Sequence, residues 1–288
     1  MPEPSVSTPV EGGLPRRTAW QRLPLSVKLG GAVIVLVLLG MVAGWLNPTD
    51  PDATGPARLA PPSAQHPLGT DLLGRDLLAR VLAGAENALY VGVIAVGIGL
   101  SLGVLLGVLA GYFGGWLDSL LTFLLDSLYA FPALLLALLF AAVFNPGATS
   151  SMAAIGIAAV PAFARLARAG VLAVKAQPYV EAARALGVGS ARIIARHVLP
   201  NILGPLVVQA SLAFAASILA EAGLSYLGLG TQPPTASWGR MLREAQSYQE
   251  LSVFPVLWPG LAIAFTVLGF NLLGDGLRDW LDPRRQNR

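Results

Sequence analysis

Apolar residues along this 288-residue chain gather into six long runs, with polar and charged residues collected between them. The runs occupy residues 27–46, 88–113, 116–144, 149–170, 201–222 and 254–274. A helix needs about 20 mostly apolar residues to cross the roughly 30 Å hydrocarbon core, where no backbone N–H or C=O can be left unpaired. The pattern therefore predicts an all-α polytopic membrane protein with six transmembrane helices. Asn47 and Pro48 close the first run, Phe131 and Pro132 break the third, and Pro161 interrupts the fourth, whose end also carries Arg165 and Arg168. The first run exceeds the apolar core of about 7–15 residues that a cleaved signal peptide has. Because 26 residues also precede it, a true first span is expected.

The segments between runs complete the expected layout. Residues 1–26, rich in Pro, Ser and Gly, read as a disordered tail. Residues 47–87 form a first outer loop, in which Leu73, Leu77, Leu78, Val81 and Leu82 make a helical stripe suited to an interfacial helix. Residues 88–276 hold the other five helices, an inner segment at 171–200 and a second outer loop at 223–253, and residues 277–288 form an inner tail. With the N-terminus inside, fourteen Lys and Arg fall on inner segments and five on outer loops. The positive-inside rule then places both termini in the cytoplasm.

Composition agrees and removes several chemistries. Hydrophobic residues make up 55% of the chain and charged ones 12%, with a mean hydropathy of +0.64. Without cysteine there is no disulfide framework or thiolate, and His66 and His197 alone give little for a metal site. The small excess of basic residues does not suggest nucleic acid. No phosphate-cradling GxxxxGK[ST] loop exists, since Lys28 precedes Leu29 and Lys175 precedes Ala176. HExxH does not occur, the one GxSxG match (Gly99 to Gly103) falls inside the second apolar run with no His base nearby in sequence, and no catalytic residue is assigned. Asp126 is the one carboxylate deep in a run, while Asp118 and Glu221 sit near run ends. Asp126 is a candidate for the substrate pathway or a proton site, or else a carboxylate held by neighbouring helices at a water-lined interior. Gly99, Gly103, Gly107 and Gly111 give the second helix one smooth face, as close helix packing requires. The chain reads as a pore with no motor of its own.

One inner stretch, EAARALGVGSARIIARHVLPNIL from Glu181 to Leu203, differs from everything around it. Helix formers follow Pro178, and Gly187 supplies a left-handed stop. A second short helix is expected from Ser190, capped by its hydroxyl, to Leu199, with Pro200 marking the junction to the fifth span. Ala182, Ala183 and Ala185 leave a bare surface, Leu186, Ile193, Ile194 and Val198 offer apolar anchors, and Arg192 and Arg196 share a face. Anionic lipid headgroups would account for the arginines. Docking into a protein cleft accounts also for Glu181, the alanine surface and the glycine break.

This stretch resembles the EAA loop of ABC-importer membrane subunits, through Glu181, Ala182, Ala183, Gly187, Leu199 and Pro200. His197 stands where the general pattern has Ile, and RHVLPN is similar to the form usual in the oligopeptide/dipeptide/nickel branch. Residues 66–89, 130–138, 221–242 and 279–284 resemble further motifs of that branch, in the same order, and are most similar to its C-type permease subunit. The resemblance implies a type I ABC importer permease fold in a bacterial or archaeal cytoplasmic membrane, surrounded by membrane lipids. It implies as partners a second homologous permease subunit, two cytoplasmic ATPase subunits that bind ATP and Mg, and an extracytoplasmic substrate-binding protein. It makes Glu181, Ala182, Ala183, Arg184, Leu186, Gly187, Ile193, Leu199 and Pro200 the expected ATPase-coupling residues. Dipeptides or oligopeptides are the expected cargo, with nickel or a metal chelate as the alternative, and a stand-alone secondary carrier is the rival of another class.

Overall fold

The computed structural model describes residues 24–281, so the expected N-terminal tail up to residue 23 and the last seven residues lie outside the described part. The longest helices are α1 (Leu25–Leu46), α2 (Leu77–Phe113), α5 (Ala148–Lys175), α8 (Leu199–Leu227) and α10 (Phe254–Leu281). Shorter ones are α3 (Gly115–Ala130), α4 (Ala133–Phe144), α6 (Pro178–Ala185), α7 (Ser190–Ile193) and α9 (Trp238–Ala245). Five helical stretches are long and apolar enough to cross a membrane singly, and the α3–α4 pair qualifies jointly although it bends by 88°.

Helix packing decides what that bent pair does. The glycine face of α2 lies on α5, the most extensive helix pairing in the chain. A Cβ at Gly99 would sit 2.8 Å from Ala159 Cβ, one at Gly103 2.5 Å from Phe163 Cβ, one at Gly107 2.9 Å from Ala167 Cβ, and one at Gly111 3.0 Å from Val171 Cβ. Numbers rise together along both helices, so α2 and α5 run parallel. The chain between them must return to the side where α2 began, and α3–α4 provides that crossing. At about 1.5 Å per residue the two arms, roughly 24 and 18 Å long, still span about 30 Å corner to corner. Six crossings result, and the two ends of the described chain lie on the same side.

Close approach explains why glycine occupies this stripe. Gly107→Val would drive a branched side chain into the Ala164 carbonyl, an overpacking that costs about 1–3 kcal/mol. Gly97, on the same helix, faces open space. Gly107→Val is expected to lower folded yield and thermal stability in detergent, with Gly97→Ala close to wild type in the same melting assay.

Three expected elements differ from those observed. No separate interfacial helix forms in residues 47–87: α2 begins at Leu77, capped by the Asp76 side chain on Ala79 N–H at 2.8 Å, and continues unbroken into the membrane. Its first turns can hold Arg80 and Asn87 because distant residues pair with them. Pro161 does not interrupt α5, where it lies buried, since membrane helices tolerate a missing N–H. Pro200 is not a break either. A π turn over Ile194–Val198 joins α7 to α8, so residues 190–227 form one helical stretch. Pro200 lacks the N–H for an ordinary turn, and the wider turn ahead of it absorbs the mismatch.

Candidate functional site

The stretch with the unusual composition forms a compact elbow where α5 ends and α8 begins. Pro178 opens α6 in its first turn. Its far end is closed by Gly187 at φ +77°, with Gly187 N–H donating to Arg184 O at 3.0 Å and Val188 N–H to Ala183 O at 3.1 Å. This paired C-terminal arrangement satisfies carbonyls that would otherwise be orphaned and needs a residue comfortable at positive φ. The turn then leads into α7, whose cap is Gly189 with no side-chain hydrogen bond, so the expected Ser190 hydroxyl cap does not form.

Burial divides the expected coupling residues into two groups. Glu181, Ala182, Arg184, Leu186, Gly187 and Pro200 are exposed, Ala183 is half-buried, and Leu186 is 83% exposed. Ile193, by contrast, is 0% exposed and packs with Val171, Val180 and Val198 in the chain's own core. Leu199 packs against the same cluster. These residues hold the elbow, because α7 continues into α8 and turns their face inward. Further braces come from Lys175 Nζ, which donates to Tyr112 O at 2.6 Å, and from the Arg184 guanidinium 6.0 Å from the Tyr112 ring centre. Tyr179 and His197 pack ring to ring at 5.9 Å, and Asn201 Nδ2 donates to His197 O at 2.6 Å. The result is a firmly held helix that presents alanines, one glutamate and a bare leucine.

At the opposite end, polar side chains weld residues 47–76 to residues 228–253, a feature not anticipated from sequence. Asp71 Oδ2 accepts from Arg75 Nε at 2.6 Å, and Arg75 donates to Glu244 of α9 at 2.6 Å. Arg80, 1% exposed, reaches Asp52 at 3.2 Å and Glu244 at 3.4 Å. Burial first, and then the Asp71 and Glu244 carboxylates, push the Tyr248 phenol up to about 12, so it stays neutral beside them. Trp258 and Trp238 add indole N–H bonds to Leu68 O at 3.0 Å and Val81 O at 2.9 Å. Nearby, Glu221 is 2% exposed and accepts from Asn87, Ser225 and Thr231, tying α2, α8 and the loop that follows α8. The i,i+4 spacing of Asp71 and Arg75 was visible in sequence; a contact between residues 80 and 244 was not.

Asp126 stands apart from both regions. It lies on α3, 59% exposed, with Arg165 Nε of α5 at 3.9 Å.

Residues 103–287 match the family described as binding-protein-dependent transport system inner membrane component. The chain belongs to this family. This permease is 43% identical over 275 residues to the glutathione transport system permease protein GsiD of Salmonella typhimurium, covering 94% of the chain and 91% of the relative. It is 43% identical over 253 residues to a putative peptide transport system permease protein of Brucella suis, covering 88% and 85%. Its fold is similar to the inward-facing MetNI methionine ABC transporter, with a TM-score of 0.58 at 17% identity, over 70% of the permease and 96% of the solved chain. The permease is thus a multi-pass inner-membrane component of a transport system, a pore subunit in an all-helical fold.

Proposed function

We propose that this permease carries short peptides into the cytoplasm as one of two membrane subunits of an ATP-driven importer, with both termini cytoplasmic. Two separate ATPases, which bind ATP and Mg, would act on it through α6, and an extracytoplasmic binding protein would deliver the cargo to the outer loops. The observation that carries this reading is the braced, exposed surface from Glu181 to Gly187, whose anchors are spent inside the chain while Leu186 is left bare. A large apolar side chain held out on a rigid helix suits a groove in a protein better than water. Motion of the ATPases would pass from α6 through Ile193 and Val198 into α8, biasing a two-state pore. The relatives named for glutathione, itself a tripeptide, and for peptides support short peptides as the cargo class.

Reconstitution tests this directly. Liposomes holding the complete assembly should accumulate alanyl-alanine only with ATP and the binding protein, and liposomes holding this chain alone should accumulate none. Uptake by the chain alone under a proton gradient would make it a secondary carrier instead, and uptake of Ni²⁺ in place of the dipeptide would reassign the cargo.

A further inference from the structure

Two acid–base pairs bridge α3 and α5, and they differ in kind. Asp118 and Arg168 close on each other with two bonds of 2.6 and 2.7 Å. Asp126 and Arg165 stand 3.9 Å apart, beyond hydrogen-bond reach, and both are substantially exposed. The Arg165 guanidinium lies instead over the Tyr129 ring, 3.9 Å from its centre. Arg165 sits about 15 Å from the Lys175 end of α5, well inside a spanning helix. A charge facing lipid there would cost about 2.5–3.5 kcal/mol. The exposed pair must therefore face water or protein.

The neighbouring surface indicates which. A cavity of about 440 Å³ runs between α4, α5 and α8, walled by Ala133, Ala158, Ala162, Ala213, Ala216 and Gly223 among others. Arg165 follows Ala158 by seven residues and Ala162 by three, so it stands on the cavity's side of α5. Asp126 and Tyr129 immediately precede the bend from which Ala133 begins α4. An uncommitted cation and anion thus border a trough of small side chains with room for bulk of varied shape.

We propose that Asp126 and Arg165 are a relay site for the terminal charges of a short peptide as it passes along this trough, an inference that rests on the peptide reading above. Peptides differ in their side chains and share an ammonium and a carboxylate. Arg165 offers the planar donor fork that matches the carboxylate, Asp126 accepts from the ammonium, and Tyr129 holds the guanidinium in place between passages.

The absence of cysteine makes the test clean. Ala162→Cys is placed in the reconstituted importer and labelled with charged methanethiosulfonates under each nucleotide condition, with and without binding protein loaded with alanyl-alanine. The thiol should label in at least one nucleotide state, and the dipeptide should slow labelling. In an added Arg165→Gln background that protection should fall about tenfold, the equivalent of one charged hydrogen bond, while ATP hydrolysis stimulated by the loaded binding protein persists. A thiol that never labels places the second subunit or lipid against this face and overturns the relay, as does labelling that the dipeptide leaves unchanged or protection that survives Arg165→Gln. If the unmodified importer takes up no dipeptide, the peptide reading itself fails, a separate result.

Discussion

Leu186→Asp will leave the permease inserted and folded but will strip it of its ATPase partners and of transport. Leu186 is 83% exposed and outside every core cluster among the described residues, so the change to fold stability should stay within about 0.5 kcal/mol. Burying that side chain in a partner groove contributes about 1.5–3 kcal/mol, and placing a carboxylate there adds its desolvation. Together these predict at least about a tenfold fall in co-purified ATPase. Glu181→Lys, at another exposed position of α6, should act in the same direction. Gly187→Ala is expected to be milder: no atom lies within 4 Å of the added Cβ, leaving only about 1–2 kcal/mol of left-handed backbone strain. Pull-down of the ATPase and ATP-dependent uptake, read beside permease abundance, check all three. Unchanged uptake in Leu186→Asp would remove α6 as the coupling surface.

The second large effect belongs to the outer cluster. Glu244→Ala removes an acceptor shared by Arg75 and Arg80. Arg75 keeps Asp71 at 2.6 Å, but Arg80 is left buried with Asp52 at 3.2 Å and a distant Asp71 at 3.9 Å. Breaking a buried pair from one side costs about 3–5 kcal/mol, because the stranded charge stays out of water. Its Nε already has no partner, which leaves little reserve. The expected result is a clear drop in melting temperature in detergent and new protease cleavage in residues 47–76. Adding Arg80→Met should recover part of the loss, since an apolar side chain of similar volume removes the stranded cation. Equal melting curves for Glu244→Ala and wild type would show that the cluster carries no stability.

What could be read beforehand follows from how far each determinant reaches along the chain. The spans were legible because burial in lipid demands long apolar runs, and the end of α6 was legible because Pro178 and Gly187 act within a turn of themselves. The helix α2 begins at Leu77, eleven residues before the second apolar run. By sequence Arg80 counts only as an outer-loop charge, yet it pairs with Glu244, and Glu86 accepts from Trp45 at 2.9 Å, partners that are not near in sequence. Ile193 counted as an apolar anchor and, by the resemblance, as a coupling residue; the π turn keeps α7 in line with α8 and turns that face to the core. Asp126 stood out in the sequence as the one carboxylate deep in an apolar run. Its looseness from Arg165, on which the relay proposal depends, required coordinates.

Coupling through α6 is the centre of this account, and one cross-linking measurement addresses it. A benzophenone attached to Leu186→Cys, the sole thiol of this chain, is irradiated in the complete importer. The account predicts an adduct between the permease and an ATPase subunit, absent when the probe is carried instead at Leu36 on the far-exposed face of α1. Adducts with lipid alone, in an importer that still takes up peptide, would contradict it.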